Sequence, residues 1–178
     1  MRSRPLRPSS LTAAALLGAA LALPATAADL SVSVELPRLP VAEYLRPYTA
    51  LWIEREDHSV AANLAVWYDV KKPDNEGEKW LKDMRQWWRR SGRAQQMPID
   101  GVSGATRTPG RHTLSFSSGK APLGDLAAGN YRLVVEAVRE VGGRELVEIP
   151  FQWPPKSAQK LENKGRSELG TVALELKP

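Results

Sequence analysis

The sequence contains no cysteine and only two histidines, His58 and His112, among its 178 residues. The absence of cysteine excludes disulfides, thiolate metal sites, covalent haem attachment through cysteine and lipid anchoring on an N-terminal cysteine. The two histidines lie in separate parts of the chain without metal-ligand spacing, so no metal site is predicted. Such a domain depends on its apolar core for stability, and about 150 residues suffice for one core.

Long apolar runs are also scarce, because the only one, residues 11–23, is too short to span a bilayer by itself. Three arginines precede this run and the small-x-small pattern Ala25-Thr26-Ala27 follows it, as in an export signal. We therefore predict a signal peptide over residues 1–27, cleaved near Ala27-Ala28, and a single mature domain over residues 28–178. The expected location is the periplasm, without stable membrane insertion after cleavage; the alternative is a retained membrane anchor.

An excess of basic charge is small once the predicted signal peptide is set aside. Residues 1–27 contain three arginines and no acid, so the net charge of +5 falls to +2. A high isoelectric point that depends on the leader is weak support for nucleic-acid binding, and we predict no nucleic-acid partner.

Short strands separated by turns dominate the remaining sequence. Period-two alternation and β-branched or aromatic runs predict seven strands, at residues 30–36, 48–54, 63–70, 111–117, 130–140, 145–153 and 169–176. Turn signals predict hairpins between the second and third strands and at Gly142-Gly143. Without a βαβ rhythm, the pattern predicts an all-β fold, an immunoglobulin-like antiparallel β-sandwich with one inserted helix. The order of strand pairing stays open.

The inserted helix is predicted over residues 78–90. Its apolar residues recur at helical spacing, and its cations cluster towards the C-terminus, where the helix dipole favours them. Gly92 is predicted to end it. The apolar residues are Trp80, Met84, Trp87 and Trp88.

The stretch Asp100-Gly101-Val102-Ser103-Gly104-Ala105-Thr106, here called the acceptor loop, has a nearly bare backbone that a bulky ligand or a modifying enzyme can approach closely. Pro109-Gly110 then turns the chain into the next strand. Asp100 is the only residue of the loop that can serve as a base. The loop is therefore a poor nucleophile by itself and a better acceptor for the chemistry of another enzyme.

The acceptor loop resembles the target sequence of bacterial flavin transferases: Asp, two free positions, Ser or Thr, Gly, Ala, then Thr or Ser. Asp100, Ser103, Gly104, Ala105 and Thr106 match every fixed position. The resemblance implies that Thr106 carries covalent FMN through a phosphoester. It also implies that the small residues before Thr106 allow close approach, and that Asp100 helps to present the loop to the transferase.

Aromatic and basic residues near the loop have two interpretations. Trp87 and Trp88 can stack on the planar, largely apolar isoalloxazine ring, and Arg107 can neutralise the FMN phosphate or the reduced ring. Arg89, Arg90 and Arg93 are further candidates for neutralising the FMN phosphate or the reduced ring. Alternatively, the tryptophans form the core face of the helix and the arginines its solvated face.

A wider resemblance covers roughly residues 30–153 and identifies the chain as similar to secreted bacterial proteins catalogued as domain of unknown function 2271. It implies a periplasmic partner of flavin transferases and of membrane redox proteins with PepSY domains, in extracytoplasmic electron transfer or iron reduction. The residues that carry it are Lys79-Trp80-Leu81-Lys82-Asp83, Trp87-Trp88-Arg89, the acceptor loop, Pro109-Gly110-Arg111-His112-Thr113-Leu114, Gly129-Asn130-Tyr131-Arg132-Leu133 and Glu136-Ala137-Val138-Arg139-Glu140.

The sequence departs from that family pattern in two places. Phe116-Ser117-Ser118-Gly119 stands where the family usually has a Trp-Asp-Gly turn. Val141 stands where the family has a histidine within Arg-Glu-His-Gly. If that histidine tunes the flavin in relatives, its role is in doubt in this chain.

Two function classes follow from these observations. In the first, the chain is a flavinylated electron-transfer protein and need not itself be an enzyme, because the chemistry belongs to the cofactor. In the second, it is a periplasmic binding or assembly module without a cofactor, whose loop is a structural turn and whose Trp/Arg helix docks a partner. Hydrolase chemistry lacks support, since no nucleophile-elbow pattern occurs and the paired Glu54 and Glu56 are expected in a solvated turn.

Overall fold

The computed structural model describes residues 28–178, so the predicted signal peptide lies outside the described residues. One short α-helix, α1 (Arg85–Arg90), and segments of 3₁₀ helix at Pro73–Asp83 and Gly92–Ala94 accompany nine strands. The strands are β1 (Asp29–Leu36), β2 (Tyr48–Arg55), β3 (Val60–Tyr68), β4 (Ser103–Ala105), β5 (Gly110–Ser117), β6 (Gly129–Val138), β7 (Arg144–Trp153), β8 (Gln159–Lys164) and β9 (Thr171–Lys177).

The strands form two sheets that pack as a sandwich. The first sheet has the order β5-β1-β9-β8, and the second has the order β4-β3-β2-β6-β7. All strand pairs are antiparallel except β3 with β4. The immunoglobulin-like β-sandwich predicted from the sequence is confirmed, and so are the hairpins β2-β3 and β6-β7.

The core between the sheets follows the alternation of the strands. In β1, Leu30, Val32, Val34 and Leu36 are at most 1 % exposed, whereas the serines between them are partly exposed. Burial of each such side chain contributes about 1.5–3 kcal/mol to folding. The period-two reading of this strand is therefore confirmed residue by residue.

A second apolar cluster covers the outer face of the five-stranded sheet. Trp52, Val66 and Val134 point away from the first sheet and pack under Leu81 and Trp87. Both faces of β2 are consequently covered, which explains why seven of its eight residues are buried. The helical segment thus forms a partial third layer on this sheet.

The continuous helix predicted over residues 78–90 is wrong. The 3₁₀ segment Pro73–Asp83 contains Asp74 and Asn75 at positive φ, and Met84, with φ −74° and ψ 72°, separates it from α1. Apolar spacing persists through this break, since Met84 and Trp87 are both fully buried. None of the helices within residues 28–178 has the length and apolarity to cross a membrane.

A strand side chain explains why a new helix begins after Met84. The carboxylate of Glu136, fully buried on β6, accepts hydrogen bonds from the backbone N–H groups of Gln86 at 3.1 Å and Trp87 at 2.7 Å. These are first-turn amides that have no partner inside the helix. Arg144 Nε donates to the same carboxylate at 2.5 Å, which balances its buried charge.

Two strands were not predicted. β4 is only three residues long and pairs in parallel with β3 through Val66–Ser103, Trp67–Gly104 and Tyr68–Ala105. β8 is an edge strand of the four-stranded sheet, and five of its six residues are exposed. Neither strand has the alternation that burial of one face produces, so periodicity gave no signal.

Candidate functional site

The acceptor loop begins with a tight turn. Gly101 adopts φ 68°, a left-handed conformation that glycine accepts without strain. The Ile99 carbonyl accepts hydrogen bonds from Val102 N at 3.2 Å and Ser103 N at 2.9 Å. The Ser103 hydroxyl in turn accepts a hydrogen bond from Ile99 N at 2.9 Å. Ser103 therefore closes the turn that delivers the chain to β4.

Thr106 follows β4 directly and is held at the sheet edge. Its backbone N–H donates to the Tyr68 carbonyl at 3.2 Å, which extends the parallel pairing by one residue. Its side chain is partly exposed, and Oγ1 donates to Asp69 Oδ1 at 3.5 Å. The hydroxyl is thus outside the sandwich core and reachable from solvent.

Thr106 lines a cleft of about 940 Å³ at one end of the five-stranded sheet. Because β2 runs antiparallel to both β3 and β6, the start of β2, the end of β3 and the β6-β7 turn all meet at this end. These elements supply Tyr48, Asp69 and the hairpin tip at residues 139–144, while the 3₁₀ segment supplies Trp80. The site is therefore assembled from parts of the chain that are distant in sequence.

Basic side chains outnumber acidic ones in the cleft. The acids are Asp69, Asp83 and Glu140, and the bases are Arg46, Lys72, Arg85, Arg139 and Arg144. Three of the bases are in ion pairs, Lys72 with Asp69, Arg139 with Glu168 and Arg144 with Glu136. Among the described residues, Arg46 and Arg85 form no ion pair, so they remain available to an anionic ligand.

A buried ion pair fixes the β6-β7 hairpin tip. The guanidinium of Arg139 donates to both carboxylate oxygens of Glu168, from Nε at 3.0 Å and from a terminal nitrogen at 3.1 Å. The Gly143 N–H donates to the same carboxylate at 2.8 Å. Both charged side chains are more than nine-tenths buried, so the pair is desolvated and bidentate. This wall of the cleft is consequently rigid.

Tyr48 lies in the floor of the cleft with its ring 9 % exposed. Burial raises the pKa of Tyr48 to about 12, and the negative charge of Asp69 adds to the rise. Its hydroxyl oxygen is buried without a hydrogen-bond partner among residues 28–178. The cleft thus contains a neutral phenol close to the backbone and the carboxylate of Asp69.

The predicted site residues fall into two groups. Thr106 lines the cleft, and Ser103, Gly104 and Ala105 form the strand that carries it there. A Cβ on Gly104 would approach Trp67 Cδ1 to 3.5 Å, an ordinary contact, so that neighbour does not by itself require glycine. Asp100 is exposed at the turn and does not line the cleft.

The predicted aromatic and basic contacts lie elsewhere. Trp87 is fully buried, with Nε1 donating to Asn63 Oδ1 at 2.9 Å, and Trp88 packs beside it with 6.3 Å between ring centroids. The guanidinium carbon of Arg107 lies 5.1 Å from the centre of the Trp67 ring. None of these three predicted residues lines the cleft, and Trp87 and Trp88 occupy the core side of the helix.

Sequence reasoning missed Asp69, Trp80 as a cleft residue, and the hairpin tip. Trp80 is 49 % exposed although it shares the apolar spacing of the helix. One signal did exist for the hairpin tip, because Val141, which stands where the resemblance implies a histidine, lines the cleft. The expectation that Glu54 lies in a solvated turn is also wrong. Its side chain is only 1 % exposed, and its carboxylate accepts a hydrogen bond from Trp52 Nε1 at 2.8 Å.

Comparisons with known proteins identify one family. The model of the family described as "Predicted periplasmic protein (DUF2271)" matches residues 29–171. No curated protein and no solved structure matches the chain. The matched range includes the acceptor loop, the 3₁₀ segment and the hairpin tip, and hence the greater part of the cleft.

Proposed function

The chain belongs to the family described as predicted periplasmic protein (DUF2271), and we propose that it is an extracytoplasmic electron-transfer protein that carries FMN in phosphoester linkage at Thr106. The observation that carries this proposal is the position of the Thr106 hydroxyl, partly exposed in the wall of a cleft of about 940 Å³. A flavin transferase and a membrane redox protein of the PepSY type are the proposed partners, as the resemblance of the sequence implies.

The modification is a phosphoryl transfer to an alcohol. The Thr106 oxygen bonds to the phosphorus of an activated FMN donor, such as a flavin dinucleotide, while the bond from that phosphorus to the leaving nucleotide breaks and the hydroxyl proton departs. Asp69 Oδ1, 3.5 Å from the hydroxyl, is placed to accept a hydrogen bond and orient the oxygen. The turn at Gly101 has open space beside it, so the transferase can approach the loop.

The residues of the cleft fit FMN in size and chemistry. Ligand clefts commonly measure roughly 300–1,000 Å³, and this one measures about 940 Å³. The half-exposed indole of Trp80 offers an aromatic face, and Arg46 and Arg85 offer unpaired positive charge. When bound, FMN would supply one- and two-electron redox chemistry.

Mass spectrometry of the intact protein tests the proposal. The full chain is co-expressed with a bacterial flavin transferase, purified after export, and compared with Thr106→Ala and Thr106→Ser. We expect the FMN mass on the wild type and on Thr106→Ser, which retains a hydroxyl, and its loss in Thr106→Ala. Thr108→Ala, which removes an exposed hydroxyl two residues after Thr106, is the matched control and should keep the added mass.

Two outcomes would contradict the proposal. Wild-type protein without FMN mass would favour the second function class, a periplasmic binding or assembly module without a cofactor. FMN mass that persists in Thr106→Ala but disappears in Thr108→Ala would place the attachment at another residue.

A further inference from the structure

Trp80 differs from the other tryptophans of the domain. Trp52, Trp67, Trp87 and Trp153 are each at most 3 % exposed, and Trp88 is partly buried against Trp87, whereas Trp80 is 49 % exposed. A large apolar ring on the surface forgoes the free energy of burial, about 25 cal/mol per Å² of apolar area. The exposed face of Trp80 lines the same cleft as Thr106.

The hairpin tip adds a second exposed apolar group to this cleft. Val141 is 93 % exposed and adopts φ 53°, which is strained for a β-branched residue. The two glycines that follow pack closely against a buried ion pair, because a Cβ on Gly142 would lie 2.5 Å from Arg139 and one on Gly143 would lie 2.8 Å from Glu168. The buried Arg139–Glu168 pair therefore holds the strained tip at the cleft.

Exposed apolar side chains are concentrated around Thr106 rather than scattered. Of the four large apolar residues that are clearly exposed within residues 28–178, Trp80 and Val141 line the cleft, and Val70 lies in the adjoining depression with Asp69 and Ala105. The fourth is Val41. Concentrated apolar exposure in a cleft that also contains unpaired arginines is typical of a site for a planar, anionic ligand.

We propose that the isoalloxazine ring of FMN attached at Thr106 lies in this cleft against the indole of Trp80, sheltered from solvent rather than displayed on the surface. The proposal rests on the proposed function, because the ring reaches the cleft through the linkage at Thr106. Trp80 is then a ring-binding residue, Val141 forms the apolar edge of the site, and Arg46 and Arg85 are its free cations. The buried Trp87 and the partly buried Trp88 take no part in ring binding.

Flavin fluorescence tests this arrangement. An indole stacked on a flavin quenches its emission, so the flavinylated wild type should be dim. Trp80→Leu should be several-fold brighter at equal flavin content, whereas Trp88→Leu, which removes a tryptophan outside the cleft, should remain as dim as the wild type. Trp80 is half exposed, so its replacement by leucine is compatible with folding.

Collisional quenching of the flavin emission by iodide provides a second measurement. Iodide should quench the residual flavin emission of the wild type less efficiently than that of free FMN, and Trp80→Leu should be quenched more efficiently than the wild type. A wild type that carries the FMN mass but is as bright and as accessible to iodide as free FMN would overturn the inference while leaving the linkage at Thr106 intact. Equal brightness of wild type and Trp80→Leu would also overturn it. Absence of the FMN mass from the wild type would instead refute the proposed function.

Discussion

At the scale of the residue, the Thr106 hydroxyl has a hydrogen-bond partner that is distant in the sequence. Thr106 and Asp69 are 37 positions apart, yet the parallel pairing of β4 with β3 places both side chains immediately beyond paired strand ends. Asp100, which belongs to the motif, is exposed and does not line the cleft. The carboxylate that accepts a hydrogen bond from the Thr106 hydroxyl is thus supplied by the fold and not by the motif.

Asp69→Asn is expected to slow FMN transfer without preventing it. The amide weakens a long hydrogen bond, 3.5 Å between the two oxygens, that contributes about 0.5–1 kcal/mol, equivalent to roughly two- to fivefold in rate. The initial rate of FMN incorporation by a purified transferase measures the effect, and Asp69→Glu should restore part of it. Asp100→Asn is the control for the motif carboxylate; equal rates for Asp69→Asn and wild type would refute a positioning role for Asp69.

Tyr48 predicts a pH dependence of stability. Its pKa is raised from 10.0 to about 12 in the folded state, so the neutral phenol is favoured by folding. The associated stability is fully present below the unfolded pKa of 10.0 and is lost as pH rises through about 12. Urea unfolding of the wild type between these pH values should therefore show a steeper loss of stability than unfolding of Tyr48→Phe. Parallel pH profiles would contradict the assignment.

Tyr48→Phe also tests the unsatisfied hydroxyl at neutral pH. The Tyr48 oxygen is buried without a hydrogen-bond partner among residues 28–178, and removal of such a group is neutral or stabilising, by up to about 1 kcal/mol. Destabilisation by more than this amount, measured by urea unfolding at pH 7, would show that the hydroxyl has a partner in solution.

At the scale of the element, the period-two alternation of apolar residues predicted the strands that bury one face. β1, β5 and β7 agree with their predicted ranges within two residues because each has one face in the core. Apolar spacing alone could not locate the break at Met84, since the amide acceptor that starts α1 is Glu136, a residue of another element. β4 is stabilised by pairing with β3 and not by an apolar face, so its sequence lacks the alternation from which a strand is predicted.

The hairpin tip yields a prediction about buried charge. Glu168→Gln leaves the desolvated Arg139 guanidinium without its counter-charge, and loss of one partner of a buried pair costs about 3–5 kcal/mol when the pair is broken. Because glutamine retains one acceptor, we expect about 2–3 kcal/mol of destabilisation by urea unfolding. The exposed pair Lys160–Glu162 provides the control: Glu162→Gln should change stability by less than about 1 kcal/mol. Similar losses for the two variants would argue against a structural role for the buried pair.

At the scale of the whole molecule, the cleft is a product of topology. The five-stranded sheet is covered on one face by the four-stranded sheet and on the other by the helical layer, so ligand access is left at the ends of its strands. At one end, β2, β3, β4 and the β6-β7 hairpin converge on the cleft that contains Thr106. The sequence identified Thr106 through its motif, but the surroundings of Thr106 depend on long-range pairings that local patterns do not encode.

A ring that lies in the cleft only when the domain is folded must stabilise the fold. The flavinylated wild type should therefore unfold at a higher temperature than the unmodified protein, because contacts made only in the folded state shift the equilibrium towards it. A contribution of about 1 kcal/mol corresponds to a rise in Tm of roughly 2–4 °C for a domain of this size. Differential scanning calorimetry of matched loaded and unloaded samples measures the rise, and Trp80→Leu should lose most of it. Identical melting of loaded and unloaded wild type would mean that the attached flavin makes no net contact with the domain, and the ring would then be displayed to solvent.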